Sequence, residues 1–250
     1  MCGIVGIYLK TKKFEKNLGR MLSGMLNNME SRGPDSAGFA IYKNEKKNIF
    51  KYSLCINDLN FKKFKKEISN KIKKIKLNQH ADHVILKTPI EPKTIIKVIN
   101  TSFPEVSIVG YGHSIEIFKQ VGNPKDVVKK FKLDSFSGTH GIGHTRMATE
   151  SAITTDGSHP YSTGKDECLV HNGSLSNHNN LRRDLVKKGN IFNSENDTEV
   201  AAGYVSNSLS NKKSLKDTLT SGLKDLDGFY TFITGTKKGF AVVRDEIACK

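Results

Sequence analysis

The chain has 250 residues, enough for one large domain or two small ones with a sizeable core. Its formal net charge is +15, but only six of its 40 basic residues are Arg. The Lys residues lie in scattered runs without the Arg forks and interleaved aromatics of base and phosphate recognition, so no nucleic-acid role is expected. General Lys/Asn/Ile enrichment accounts for the charge, and a basic face that docks an acidic partner protein is left open.

No apolar run approaches the roughly 18 residues of a membrane span, so no membrane is expected. The opening stretch MCGIVGIYLKTKK is too short in apolar residues, and lacks the basic start, for a signal peptide. The four Cys, at 2, 55, 168 and 249, show neither paired nor zinc-like spacing. A reducing cytoplasmic setting with no disulfide framework and no metal follows.

Residues 3–9 read as a buried strand. Residues 14–30 read as a helix, with Leu18, Met21, Leu22, Met25, Leu26 and Met29 at helical spacing; the Met stripe suits a core face. A turn-rich loop, Ser31-Arg32-Gly33-Pro34-Asp35-Ser36-Ala37-Gly38, leads into a strand at Phe39–Tyr42. Residues 44–135 change character: strand 49–55, Lys-rich helix 59–76, strand 83–87, helix 91–99, strands 105–111 and 115–120, helix 124–132. This segment reads as a small α+β insertion on the main domain. Thr139–Met147 reads as a strand running into a loop, and 168–172 as a strand ending at Asn172-Gly173. Helices are expected at about 176–188, 197–210 and 213–225. A hairpin pairs Phe229–Thr234 with Phe240–Val243.

The residue with most chemistry is Cys2. Its small side chain permits removal of Met1, which would place a thiol and a free α-amine on one carbon. With reference pKa values of about 8.5 for the thiol and about 7.7–8.0 for the amine, such a residue holds a nucleophile and its own general base. Further motifs stand beside it: Arg32 to Gly38, Gly143-His144-Thr145-Arg146-Met147-Ala148-Thr149, His171-Asn172-Gly173, and Asn196-Asp197-Thr198-Glu199. Taken singly each has a plain structural use. Asn172-Gly173 is a common turn pair, Asp197 suits a helix start, and His144, His159 and His171 suit satisfied structural roles. Taken together they fit hydrolysis of a glutamine side-chain amide. Asn172 and Gly173 would form an oxyanion hole, Arg146 would take the α-carboxylate in a fork, and Asp197 would take the α-ammonium.

This set of motifs resembles that of the class II glutamine amidotransferases, the N-terminal-nucleophile family, and covers most of the chain outside 44–135. The resemblance implies an α+β fold: a four-layer αββα sandwich of two antiparallel sheets, here carrying the inserted segment. It also implies that Cys2 is the nucleophile, that Asn172 and Gly173 bind the oxyanion, and that Arg146, Thr149 and Asp197 grip glutamine with the Gly173 backbone. Arg32 would set the N-terminal loop and Asp35 would hold the turn. No cofactor is implied for this half-reaction.

Met147 and Glu150 depart from the glucosamine-6-phosphate synthase branch, where an aromatic and a His are usual. The insertion is foreign to that branch and to the purine-pathway branch, so amidophosphoribosyltransferase is an alternative of the same standing. The pattern looks more like the stand-alone glutaminase subunits of glutamate synthase-like complexes, including methylglutamate synthase. The expected partner is then a synthase subunit carrying flavin and iron–sulfur clusters, which accepts the ammonia. Val243 to Lys250 resembles a motif that normally continues into further strands, so the 1–250 domain reads as truncated at its end, with exposed strand edges. From another class comes the alternative of a non-catalytic docking or regulatory subunit, against which the intact motif set argues. An amidase acting on other acyl amides fits the Arg146 and Asp197 pair poorly.

Overall fold

The computed structural model describes residues 2–44, 48–148 and 152–248. In chain order its elements are β1 (Gly3–Tyr8), α1 (Leu18–Asn28), β2 (Ser36–Tyr42), β3 (Phe50–Cys55), α2 (Phe61–Lys71), β4 (Lys76–His80), β5 (His83–Thr88), α3 (Pro92–Ser102), β6 (Ser107–Gly112), β7 (Ile115–Val121) and α4 (Pro124–Phe131). Then follow β8 (His140–Arg146), β9 (Glu167–Leu175), α5 (His178–Lys187), α6 (Asp197–Ser210), α7 (Leu215–Asp225), β10 (Gly228–Thr236) and β11 (Gly239–Arg244). Among the described residues three sheets result, ordered β1-β8-β2-β7, β11-β10-β9 and β4-β5-β3-β6, with each of these strand pairs antiparallel.

Period-2 alternation builds the layers. In β2, Ala37, Phe39 and Ile41 face the helices, where Leu18, Leu22 and Leu26 of α1 and Val127, Val128 and Phe131 of α4 pack on them. Ala40 and Tyr42 of the same strand face the other way, into a core shared with Ile117, Ile142 and, from the second sheet, Cys168, Val170 and Ile233. The outer face of the second sheet presents Leu169, Tyr230 and Phe232 to Ala201, Ala202 and Val205 of α6. The order is helices, sheet, sheet, helices: the expected αββα sandwich. Full burial of each large apolar side chain here stabilises by roughly 1.5–3 kcal/mol relative to exposure. Close approach of α1 needs small residues beneath it. A Cβ on Gly143 would lie 2.9 Å from Leu26 Cδ2.

The third sheet forms its own layer, with Phe64 and Ile68 of α2 and Ile95 and Ile99 of α3 covering Tyr52, Leu54 and Leu86. Its other face meets the main body through Ile85 and through His83, whose ring lies edge-on to Phe131 at 5.0 Å. Two features of the 44–135 segment differ from the sequence reading. Its last part, β7 and α4, belongs to the first sheet and its helical layer, because β7 pairs with β2 from Ser36↔Val121 to Tyr42↔Ile115. The Lys-rich helix ends at Lys71, and Lys76–His80 becomes the edge strand β4 paired with β5. The 14–30 helix is also shorter than expected: a 3-10 stretch at Lys12–Asn17 precedes α1.

Candidate active site

Cys2 sits at the head of β1, where Gly3 pairs with Thr145 of β8. Arg32 donates from Nε to the Cys2 carbonyl at 3.3 Å, and the half-buried Cys2 thiol points to the Met147 carbonyl at 3.8 Å. The glycines around it are steric requirements. A Cβ on Gly3 would meet Thr145 Oγ1 at 2.6 Å, and one on Gly33 would meet the Thr145 carbonyl carbon at 2.3 Å. Asp35 clamps the end of β8 from the other side, donating from N to the Arg146 carbonyl at 3.0 Å and accepting from Ala148 N at 2.7 Å. Arg146 is buried, and its Nη1 donates to the Ala152 carbonyl at 3.1 Å. Cys2, Arg32, Asp35 and Arg146 are thus gathered at one end of the first sheet. Thr149 lies outside the described residues, as do Met1 and Glu150.

Asn172 and Gly173 lie within β9 and do not end it; the strand runs on to Leu175. Asn172 has the parity of Cys168 and Val170, so it faces the space between the two sheets, on the side of β1 and β8. Gly173 has φ +145° and pairs with Tyr230, and a Cβ there would stand 2.0 Å from the Phe229 carbonyl oxygen. Only glycine supports that conformation and that approach.

Asp197 opens α6, with Asn196 as its N-cap accepting from Thr198 N at 2.9 Å. Its Oδ2 accepts from Leu175 N at 2.9 Å, which ties the helix start to β9 two residues past Gly173. Burial raises the Asp197 carboxyl, but contact with His171 and the Leu175 N–H outweigh it and hold the group below its ordinary value. The carboxylate is therefore charged and faces a helix N-terminus, which favours it.

A buried imidazole cluster joins these parts. His144 Nε2 lies 2.8 Å from the His171 carbonyl, and the His144 and His159 rings stack at 3.9 Å. Burial pushes His144 down to about 3 and His159 well below its ordinary value, so both are neutral. Motif reading places these residues in the sequence without showing that they touch, because their meeting depends on how the two sheets stack.

Burial also pushes the Cys55 and Cys168 thiols up, to about 11 and about 12, which makes them poor nucleophiles. Cys2 is the reactive candidate among the described Cys. Among the described residues no group of three or more His, Cys, Asp or Glu is placed to hold a metal ion, and no helix is long and apolar enough to cross a membrane. A cavity of about 530 Å³ lies between β6, α3 and the 189–194 loop, but Cys2, Arg146, Asn172 and Gly173 are not among its lining residues.

An αββα sandwich with a cysteine at the head of its first strand has the architecture of the N-terminal-nucleophile class. Sequence comparison agrees. A glutamine amidotransferase domain profile matches residues 144–250. The glutamine amidotransferase-like protein GlxB of Rhizobium meliloti is 48% identical over 253 residues, covering 100% of this chain and 84% of that protein. The glutamine–fructose-6-phosphate aminotransferase of Methanococcus maripaludis is 29% identical over 162 residues, covering 62% of this chain and 26% of that one. Among solved structures, the allosteric regulatory enzyme of purine biosynthesis superposes with a TM-score of 0.58 at 20% identity, over 98% of this chain. The chain spans 37% of that protein's length, so the likeness is one of fold. The chain belongs to the class II glutamine amidotransferases, a family of enzymes.

Proposed function

We propose that this chain hydrolyses the side-chain amide of L-glutamine through a thioester on Cys2 and passes the ammonia to a synthase on a separate polypeptide. With Met1 removed, the Cys2 α-amine accepts the thiol proton, and the sulfur adds to the amide carbon. Asn172 Nδ2 and the Gly173 N–H take the oxyanion. The α-ammonium then protonates the leaving nitrogen, the C–N bond breaks and ammonia departs. Water, deprotonated by the same amine, adds to the thioester; the C–S bond breaks and glutamate leaves. Arg146 takes the α-carboxylate, Asp197 takes the α-ammonium, and Thr149 adds to the grip.

The observation that carries this reading is the double hold on Cys2. Its carbonyl is held by Arg32 and its thiol lies at Met147, one residue past Arg146 on the same strand end. A nucleophile and a carboxylate-binding cation are set by a single backbone register, which is the orientation a slow amide cleavage needs. Relative length supports a separate acceptor. The aminotransferase match occupies 26% of its protein, whereas the GlxB match occupies 84%, so a GlxB-like chain has little room for an acceptor domain. A glutamate synthase-like partner with flavin and iron–sulfur clusters is the acceptor this subfamily resemblance favours.

The test is release of ammonia and glutamate from L-glutamine, with intact-mass analysis of the same sample. The expected outcome is loss of Met1 and turnover that disappears in Cys2→Ala. Persistent turnover in that variant would falsify the role of Cys2.

A further inference from the structure

Thr198 Oγ1 is the meeting point of three side chains. His159 Nε2 lies 2.8 Å away, His171 Nδ1 3.0 Å away, and the hydroxyl reaches Asp197 Oδ1 at 3.3 Å. Thr198, His159 and His171 are each no more than 4% exposed. The hydroxyl is not needed as a helix cap, since Asn196 performs that role.

A hydroxyl has one proton to give and two lone pairs to offer. Asp197 is a carboxylate and can only accept, so the Thr198 proton goes to it, and both imidazoles must donate to Thr198. That assigns His159 as the Nε2–H tautomer and His171 as the Nδ1–H tautomer. The remaining nitrogens agree with the assignment: His159 Nδ1 and His171 Nε2 are buried with no hydrogen-bond partner among the described residues. His144 completes the network. Its Nε2–H donates to the His171 carbonyl next to Asn172, while its ring stacks on His159. His171 Nδ1 also stands 3.6 Å from Asp197 Oδ1.

We propose that Thr198 is a positioning residue, whose hydroxyl gathers two imidazoles and turns the Asp197 carboxylate toward the substrate's ammonium group. The inference rests on the reading that Asp197 grips that ammonium. Because His144, stacked on His159, donates to the His171 carbonyl next to Asn172, the device keeps the ammonium grip in register with the oxyanion site.

The test uses Thr198→Val, which keeps the shape and removes the hydroxyl, and Thr198→Ser, which restores it. In Thr198→Val the KM for glutamine should rise about tenfold or more, with kcat within about threefold of wild type. Thr198→Ser should return KM close to wild type. Alkylation of Cys2 by iodoacetamide, which has no ammonium to bind, should proceed equally in all three proteins. An unchanged KM in Thr198→Val, or a parallel loss of iodoacetamide reactivity, overturns the proposal. A second readout is independent of turnover: ¹⁵N NMR of the imidazoles should show Nε2–H on His159 and Nδ1–H on His171, and the opposite tautomers overturn it. Failure of the glutaminase reading itself is distinguishable, since wild type would then release no ammonia from glutamine.

Discussion

At the scale of single residues, one buried carboxylate holds three parts of the chain together. Asp166 accepts from His113 N at 3.0 Å, Ser114 N at 2.7 Å, Ser114 Oγ at 2.8 Å and Ile115 N at 3.1 Å. It thereby fixes the turn between β6 and β7, where the chain passes from the third sheet to the first, against the start of β9. Burial pushes its carboxyl up, but the N–H groups of His113, Ser114 and Ile115 outweigh that and hold it below its ordinary value. A folded pKa below the unfolded value of about 3.9 means the stabilisation is fully present above that pH and is lost as pH falls through the lower folded value. Asp166→Asn is expected to cost about 2 kcal/mol at neutral pH and to flatten the loss of stability below about pH 4. Urea unfolding of both proteins at a series of pH values checks this, and parallel acid limbs would refute it. Gly173 makes a different point at the same scale. Its place in the His-Asn-Gly motif is legible in the sequence, but its φ of +145° inside a continuing strand is not. An Asn-Gly pair reads as a turn on local preference, and only the pairing with β10 overrides that.

At the scale of elements, long periodic segments are legible and short polar ones are not. The α1 stripe of Leu18, Leu22 and Leu26 announces a helix face, and the apolar run Phe39–Tyr42 announces a strand, which the structure extends back to Ser36. By contrast β4 reads Lys-Leu-Asn-Gln-His, with no run of apolar or β-branched residues, and it is a strand because β5 offers it an edge. The end of α4 is legible to within a residue, but the conformation of its flank is not. Lys132, its C-terminal flank, has φ 54° and ψ 45°, the left-handed conformation that glycine adopts without a Cβ penalty. Nothing in the Lys129-Lys130-Phe131-Lys132 run signals that turn. Lys132→Gly is therefore expected to stabilise the protein, by about 0.5–1 kcal/mol, because it relieves the left-handed strain at a helix end already fixed by packing. The gain is partly offset by the greater entropy of glycine in the unfolded chain. Thermal and urea unfolding of the variant decide it, and a lowered midpoint would show that Lys132 is held there by contacts worth more than its strain.

At the scale of the whole molecule, the site and one dense run of Lys residues lie on different parts of the structure. Cys2, Arg146, Asn172 and Asp197 belong to the sandwich, whereas α2 and the turn after it present Lys62, Lys63, Lys65, Lys66, Lys71, Lys73 and Lys74 to solvent, with Glu67 as the acid on that helix. The aminotransferase relative of Methanococcus aligns with 62% of this chain, while the GlxB-like relative aligns with all of it, third sheet included. On the proposed function the acceptor has to be held close, and the Lys-rich face on the layer of the third sheet offers an acidic acceptor a surface away from the catalytic end. Removing α2 would not test this, because Phe64, Ile68 and the following Ile72 form part of the core of the third sheet. Charge reversal of the exposed face does. The triple variant Lys62→Glu, Lys65→Glu, Lys66→Glu is expected to release glutamate from glutamine at the wild-type rate while losing co-purification with the proposed synthase subunit. Wild-type association should itself weaken as salt shortens the Debye length from about 10 Å at 0.1 M to about 3 Å at 1 M. A complex that survives both the reversal and the salt would place the docking surface elsewhere on the molecule, and the charge on α2 would then serve solvation alone.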